Sequence, residues 1–514
     1  MAVEFTLGDI VVDNAHRHPE VIAYRQGERT LTHAGLFERA RRLVSAMVAA
    51  GLRRQDRISI LSRNSIEFGE VMAATQLSGI IMATVNFRLA PGEMRDAINR
   101  VRPKIVFVAD EFADVIAELA PTLTGSPLLV CIGRGHPDLL DYEQFLACGC
   151  GDGLALQARP EDIACLIFTS GTTGASKCCI LGQAEQHRVL FTMNGEMRSG
   201  SSDRILINMP MFHIGAIAML GGVHARGGGV VLQQQFDPDE AVELIGRHRI
   251  TIVHLAPVML NALLNAVRDP GALESLHTVV YAAAPMTMNI LQRALELMPT
   301  AGFLNLYGQT EAIVSGLPRE LHTGDRPGAG EALRSVGFPF PGNKVRIVDD
   351  DGRELPVGEI GEIVVRSDTL FRGYWDDHAA TLATLRDGWC HTGDVGRFDE
   401  RGLLYLVDRK KDVIITGGEN VYSPEVEDAI SRMPEVAACA VVGAPDERWG
   451  EAVCAVVVPE PGQTVTLAAV QEFVRARLAR YKAPRRLVIV PELPVLPSGK
   501  VDKKRLRAEL AAAS

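Results

Sequence analysis

A chain of 514 residues, 47% hydrophobic and 23% charged, has material for a large buried core but too much for one compact unit, so two or more domains are expected. Its 53 basic and 63 acidic residues leave a formal charge of -10, which argues against coating nucleic acid or an anionic membrane and in favour of a small soluble ligand. The opening MAVEFTLGDIVVDN has no basic n-region or apolar stretch, and no run of about eighteen apolar residues occurs, so neither export nor a transmembrane segment is expected. The nine cysteines form no CxxC pair and are odd in number, which fits reduced thiols in a cytoplasm.

In chain order, the apolar spacing of Leu36–Ala50 predicts a helix, and RISIL, Arg57–Leu61, a short buried strand. The alternation returns with strand-like KIVFVAD (Lys104–Asp110) and GGGVVLQQQ (Gly227–Gln235), the helical Asp237–His248 and the strand-like Ile250–Leu255. Parallel strands with helical crossovers are the simplest reading of such an α/β pattern. After Val336 the texture turns to short strands and turns, KVRIVDDDGRELP, GEIGEIVVRS and GLLYLVDRKKDVII, which predicts a β-rich subdomain over about 336–408. From Asp412 a compact unit follows: a helix at Ser423–Met433, strands at AACAVVGAP and AVCAVVVPE, and a basic helix at Leu467–Ala479. The expected division is therefore 1–408, a joint at 409–411, and 412–514.

The most informative stretch is LIFTSGTTGASK, Leu166–Lys177, where an apolar strand runs into a loop rich in glycine and hydroxyls and closed by a lysine. Glycines let backbone N–H groups approach an oxyanion, hydroxyls add donors and the lysine adds charge, so the loop is built to hold phosphate. A Walker A loop needs GK followed by a hydroxyl residue, but Ser176 precedes Lys177 and Cys178 follows it, so that reading is rejected.

TSGTTGASK resembles the signature loop of the acyl-adenylate-forming superfamily, which holds acyl-CoA synthetases, peptide-synthetase adenylation domains and beetle luciferases. Ser176 stands where proline is commoner and Cys178 where glycine is usual. Further matches follow in the family's order, as far as Lys500. The resemblance implies an α/β fold with a large N-terminal domain of mixed sheets and flanking helices, the β-rich subdomain, and a small mobile α+β C-terminal domain.

It also implies roles. Thr169, Ser170, Gly171, Thr172, Thr173, Gly174 and Lys177 would hold ATP phosphates. In NLYGQTEA, Asn305–Ala312, the residues Asn305, Tyr307 and Gly308 would line the nucleotide site, with Thr310 on the α-phosphate and Glu311 on Mg²⁺, for which a carboxylate is the right hard ligand. YAAAPM supplies Ala283, Ala284 and Pro285 beside adenine, with Ala282 where glycine is frequent; its extra methyl would narrow the neighbouring acyl pocket, shared with Gly308 and His213. In the long match Gly388–Glu427, Asp394 would accept from the ribose hydroxyls and Arg409 would donate to ribose or phosphate. Lys411 matches the family's hinge, although a solvated linker residue is the plain alternative. Gly417, Gly418, Glu419 and Asn420 would let the pantetheine arm of coenzyme A pass. Lys500, after PSG in LPVLPSGKVDKKRL, would bridge the substrate carboxylate and the α-phosphate, offsetting their repulsion.

Two weaker features keep plainer readings. His213 is held as a pocket residue, not a base, with a satisfied buried imidazole as the alternative. The run Arg475, Arg477, Arg480, Lys482, Arg485 and Arg486 reads as a solvated helix face in preference to a seat for coenzyme phosphates. The implied activity is ATP-dependent activation of a carboxylic acid as acyl-AMP and its transfer to coenzyme A, with Mg²⁺, and a homodimer is left open. Rival readings are a stand-alone adenylation enzyme that loads a carrier protein, disfavoured because the chain ends at Ser514 without a carrier domain, and an inactive nucleotide-binding relative, disfavoured because Lys500, Glu311, Thr172 and Thr173 are all present. A luciferase-like oxygenase is disfavoured because nothing supplies oxygen chemistry. The expected acyl lining, His213–Met219, His254–Met259, Ala282–Ala284 and Tyr307–Val314, carries little charge, which favours an apolar fatty or related acid.

Overall fold

Strands such as Arg57–Leu61 and Ile105–Ala109 are buried along nearly their whole length, as parallel strands must be when helices cover both faces of their sheet. In the structure, a computed structural model that describes residues 5–150, 153–169, 176–284, 286–322, 329–446, 448–495 and 501–512, they belong to a seven-stranded sheet. Its order is Leu140–Asp141, Leu128–Ile132, Ile105–Ala109, Arg57–Leu61, Ile81–Thr84, Ile163–Thr169, Lys177–Gly182. A nine-stranded sheet runs Phe338–Pro339, Ala312–Leu317, Gly302–Gln309, Thr278–Ala282, Ile252–Leu255, Arg204–Ile207, Gly229–Leu232, Ile22–Gln26, Arg29–Thr32.

Most neighbours are parallel, but Lys177–Gly182, Ala312–Leu317, Phe338–Pro339 and Arg29–Thr32 pair antiparallel. The parallel reading is thus corrected at the sheet margins. Connections such as Gly27–Glu28 and Thr310–Glu311 are too short for a crossover and only a hairpin can use them.

One apolar core joins the two sheets. It takes Ile58, Phe107 and Ile167 from the first, Tyr24, Ile205, Ile252 and Val280 from the second, and the helices His33–Ala49, Ile66–Ser78, Gln183–Met197 and Ile214–His224 between them. Helix Ile66–Ser78 is buried on almost every side, consistent with a place inside this layer, and starts from Ser65, whose hydroxyl accepts from Phe68 N–H at 3.1 Å. Such a cap is worth about 1 kcal/mol. A separate core covers the outer face of the nine-stranded sheet with helices Pro238–His248, Pro257–Ala266 and Met288–Leu297. Asp237, expected inside the helix, is its cap, accepting from Glu240 N–H at 2.9 Å.

A third sheet holds Lys344–Val348, Gly361–Arg366, Trp389–Phe398, Leu385–Arg386 and Leu404–Arg409, and a fourth holds Glu419–Val421, Ile414–Thr416, Gly450–Pro459, Val436–Asp446 and Arg486–Ile489. Alternate residues of the fourth face two cores: Val441, Val453, Ala455 and Val457 meet helices Ser423–Ile430 and Leu467–Arg475, while Ala440, Val442, Cys454 and Val456 meet Lys503–Ala512. The first of these helices ends at Ile430, short of Met433, because Pro434 disfavours helical backbone in the residue before it. The second stops at Arg475, short of Ala479, where Arg477 N–H turns back only three residues to the Val474 carbonyl at 3.0 Å and tightens the last turn. Arg480–Lys482 then forms a single tight turn, and Arg485 lies beyond it, so the basic run does not form one helix face. No helix among the described residues is long and apolar enough to cross a membrane.

Candidate active site

The carboxyl ends of parallel strands are where α/β sheets bind ligands. In the nine-stranded sheet, Thr278–Ala282 ends at the expected adenine segment, and its neighbour Gly302–Gln309 carries NLYGQ into a hairpin. Gln309 pairs with Ala312, so Thr310 and Glu311 form the two-residue tip. Gly308 has to be glycine, since a Cβ there would meet the Ala312 carbonyl oxygen at 2.8 Å. Beside it Ala283 is held at φ +75°, a strained backbone for an alanine, and Ala284 is exposed.

Glu311 is buried, and the Tyr374 hydroxyl donates to its Oε1 at 2.6 Å. The Cys179 thiol also bonds the carboxylate; burial, then the charge of Glu311, pushes that thiol far up. The phenol of Tyr374 is raised for the same two reasons in the same order. Segment 372–375 lies along strand Lys177–Gly182: Ile180 N–H donates to the Gly373 carbonyl at 2.9 Å and Trp375 N–H to that of Cys178 at 2.7 Å. That edge contact sets the Lys177 ammonium 4.5 Å from the Tyr374 ring centre, within cation–π range. Lys177 and Glu311 are thus joined through Tyr374, which the sequence reading missed; GYW at 373–375 carries no signal of its own.

Thr169 pairs with Lys177 and its hydroxyl donates to the Lys177 carbonyl at 3.4 Å, so the ends of the glycine-rich loop are held together. Ser170, Gly171, Thr172, Thr173 and Gly174 lie outside the described residues, as do Pro285 and Lys500.

Asp394 and Arg409 face each other across paired strands, with Arg409 Nε 3.4 Å from Asp394 Oδ1. The Tyr307 hydroxyl donates to Asp394 Oδ2 at 2.7 Å, and Gln309 Nε2 to the Thr392 carbonyl at 3.1 Å, which ties the hairpin to the third sheet. Asn305 is turned elsewhere: its side chain donates to the Ser335 carbonyl at 3.3 Å.

Lys411 is exposed, and partial desolvation, with Arg409 and Arg507 nearby, pulls its ammonium down. Its neighbours point opposite ways. Lys410 pairs with Asp350 at 2.8 Å and Glu362 at 3.4 Å in the third sheet's region, and Asp412 with Arg507 of the last helix at 2.7 Å. Gly417 and Gly418, at φ +63° and +86°, are the two central residues of the hairpin joining Ile414–Thr416 to Glu419–Val421, which alone explains the glycine pair. Glu419 and Asn420 are exposed beside it. The turn rests on Trp449, over which Arg485 stacks at 4.1 Å while donating to Thr416 Oγ1 at 2.7 Å. Arg485 is therefore packed, a correction to the solvated-face reading.

His213 precedes helix Ile214–His224, with its ring 4.3 Å from that of Phe212. Ala282 closes its strand, partly buried.

The carboxylate of Glu311 is buried with neutral donors and no ion pair among the described residues, and no cluster of three or more metal-ligating side chains occurs there. A buried carboxylate lacking a counter-charge fits a divalent ion of the Mg²⁺ kind, which is commonly held by one or two carboxylates with the rest of its shell from phosphates and water.

Glu311 at a strand-end hairpin and Asp394 paired with Arg409 beside it belong to an adenylate-forming enzyme. The AMP-binding enzyme family matches residues 11–375 and the AMP-binding enzyme C-terminal domain residues 425–500, and the chain belongs to this family as an AMP-forming ligase of the acyl-CoA synthetase type. It is 34% identical over 98% of both chains to a feruloyl-CoA synthase of Amycolatopsis sp, and 33% identical to the fatty acid–[acyl-carrier-protein] ligase ScoC of Streptomyces coeruleorubidus, over 96% of this chain and 94% of that one. Among solved structures, the amide bond synthetase McbA of Marinactinospora thermotolerans superposes with a TM-score of 0.88 at 32% identity, covering 98% of this chain and 99% of that one.

Proposed function

We propose that this protein is a carboxylate–coenzyme A ligase working through acyl-AMP. In the first step a carboxylate oxygen of the acid attacks the α-phosphorus of ATP, the bond to the β-phosphate oxygen breaks, and pyrophosphate leaves. In the second the coenzyme thiol loses its proton to solvent, its sulfur attacks the acyl carbonyl, and AMP leaves. The observation that carries this reading is the Lys177–Tyr374–Glu311 array, a cation over the ring and a buried carboxylate on the hydroxyl of one tyrosine, which suits the tail of a triphosphate with its metal.

In this scheme Thr169 through Gly174 and Lys177 hold phosphates, Thr310 meets the α-phosphate, and Asp394, kept in place by Tyr307, accepts from ribose. Glu311 would hold Mg²⁺, which when bound would neutralise charge on the phosphates. Coenzyme A is preferred over a carrier protein or an amine as acceptor. The exposed Gly417–Gly418 turn, with the Arg485 guanidinium bonded to Thr416 next to it, supports that preference. The nine cysteines, all free thiols, suit a cytoplasmic setting.

Two faces are needed at one site, so the C-terminal domain is proposed to rotate about Lys411, presenting Lys500 for adenylation and the Gly417–Asn420 turn for transfer. Lys500→Ala should abolish acyl-AMP formation, read by pyrophosphate exchange, yet leave thioester formation from supplied acyl-AMP largely intact. Lys411→Pro, with φ fixed near about -65°, should impair the second half-reaction more than the first. Parallel loss of both half-reactions in both variants would overturn the rotation.

A further inference from the structure

The acyl side of the site holds a group that the chemistry above does not use. His254 is the third residue of strand Ile252–Leu255, next to its carboxyl end, and only 4% exposed. Both of its ring nitrogens are buried without a hydrogen-bond partner among the described residues. The other deeply buried imidazoles are served: His33 Nε2 lies 3.2 Å from the Gly228 carbonyl, His224 Nε2 3.1 Å from that of Ala23, and His322 stands between the Tyr281 hydroxyl at 2.8 Å and the Pro318 carbonyl at 3.0 Å. A buried polar group left unpaired costs about 1–3 kcal/mol, so an orphan imidazole at a strand end calls for an occupant.

Register shows where that occupant sits. His254 pairs with Val280, and Val280 with Leu304, so all three side chains emerge on the same face of the sheet. Ala282, two residues beyond Val280, emerges on that face too, diagonal to His254. From above, a Cβ on Gly215, in the first turn of helix Ile214–His224, would stand 3.5 Å from His254 Cε1. His254 is thus bounded by the helix that starts after His213 and by the strand that ends at Ala282, the two walls assigned to the acyl group. Burial holds the ring neutral, its basicity pulled down to about 4, so it offers one N–H donor and one lone pair, not a charge.

We infer that His254 is a specificity-determining residue that reads a neutral hydrogen-bonding group, a hydroxyl or a carbonyl oxygen, on the acyl part of the acid, away from the carboxylate being activated. The inference rests on the ligase reading and narrows it: a wholly apolar chain leaves the ring unpaired, and a second carboxylate would have to be buried against an uncharged imidazole.

The test is pyrophosphate release with matched acids that differ by one hydroxyl, octanoic acid against its terminal hydroxy derivative and phenylpropanoic acid against its para-hydroxy derivative. In at least one pair the wild-type enzyme should favour the hydroxylated member by about tenfold or more in kcat/KM. His254→Leu, close in volume, should lower that ratio to about one by losing the hydroxylated acid and gaining the plain one, and His254→Gln, which keeps a donor and an acceptor, should retain part of it. A ratio is read, so a general loss of active enzyme does not mimic the effect. Preference for the plain acid in every pair, or a ratio unchanged in His254→Leu, would overturn the inference. Failure of every acid to release pyrophosphate would overturn the ligase reading beneath it.

Discussion

The two sides of the site are built in opposite ways. On the proposed nucleotide side three charged groups are already engaged: Glu311 by Tyr374 and Cys179, Asp394 by Tyr307 and Arg409, Lys177 by the Tyr374 ring. On the proposed acyl side Gly215 and Ala282 offer no polar side chain, and His254 has no hydrogen-bond partner among the described residues. The difference follows from what each side must do. Groups that meet the same triphosphate at every turnover gain from being fixed in advance, because no reorganisation is then needed during reaction. A group that chooses among acids must keep its hydrogen bonds for the substrate.

The largest effect expected on the wired side comes from Glu311→Gln, which keeps the shape but not the charge. It should lower kcat/KM for ATP by about 100-fold or more, the scale of losing a principal electrostatic contact, with partial recovery at raised Mg²⁺ and an unchanged melting temperature. Metal dependence identical to that of the wild type would remove Glu311 from the metal.

Tyr374→Phe separates the two links of the array: the ring under Lys177 stays while the donor to Glu311 goes. A hydrogen bond to a charged group is worth about 1.5–3 kcal/mol, so a loss of about 10- to 150-fold is expected, appearing as a changed apparent Mg²⁺ affinity. Tyr374→Leu, which removes the ring as well, should also raise the KM for ATP. Equal behaviour of the two variants would show that the ring contact does nothing.

The smallest effect is on stability. The imidazoles of His224, His254 and His322 are pulled down by burial to about 3, about 4 and about 4. Below the ordinary imidazole value of about 6.5 the unfolded chain takes up protons that these folded groups refuse. Their contribution to stability is therefore complete above that value and is lost as pH falls toward about 4. In chemical denaturation, His254→Leu should flatten the fall in stability between about pH 6 and pH 4, by no more than about 1.4 kcal/mol per pH unit for one proton. Activity at neutral pH is not involved in that measurement.

The sequence exposed the wired side unevenly. Local patterns located Arg57–Leu61 to the residue and found the strands flanking the C-terminal hairpins, because an apolar run between turn signals depends only on near neighbours. The glycine-rich loop, Thr310, Glu311 and Asp394 stood out as motifs. Tyr374 was not, because it reaches Glu311 across 63 positions, and the Tyr307 bond to Asp394 spans 87. The orphan state of His254 was hidden for a different reason: an unmade hydrogen bond leaves no pattern in a sequence, and only the packed surroundings reveal it.

The rotation proposed about Lys411 has a mechanical consequence. Lys410 is clamped to Asp350 and Glu362 on one body and Asp412 to Arg507 on the other, with Lys411 alone between the clamps. In that rotation the joint would work as a swivel with two fixed collars, with the twist concentrated in the φ and ψ of a single residue. Added salt, by loosening the exposed collar at Lys410, would let the swivel run with more play.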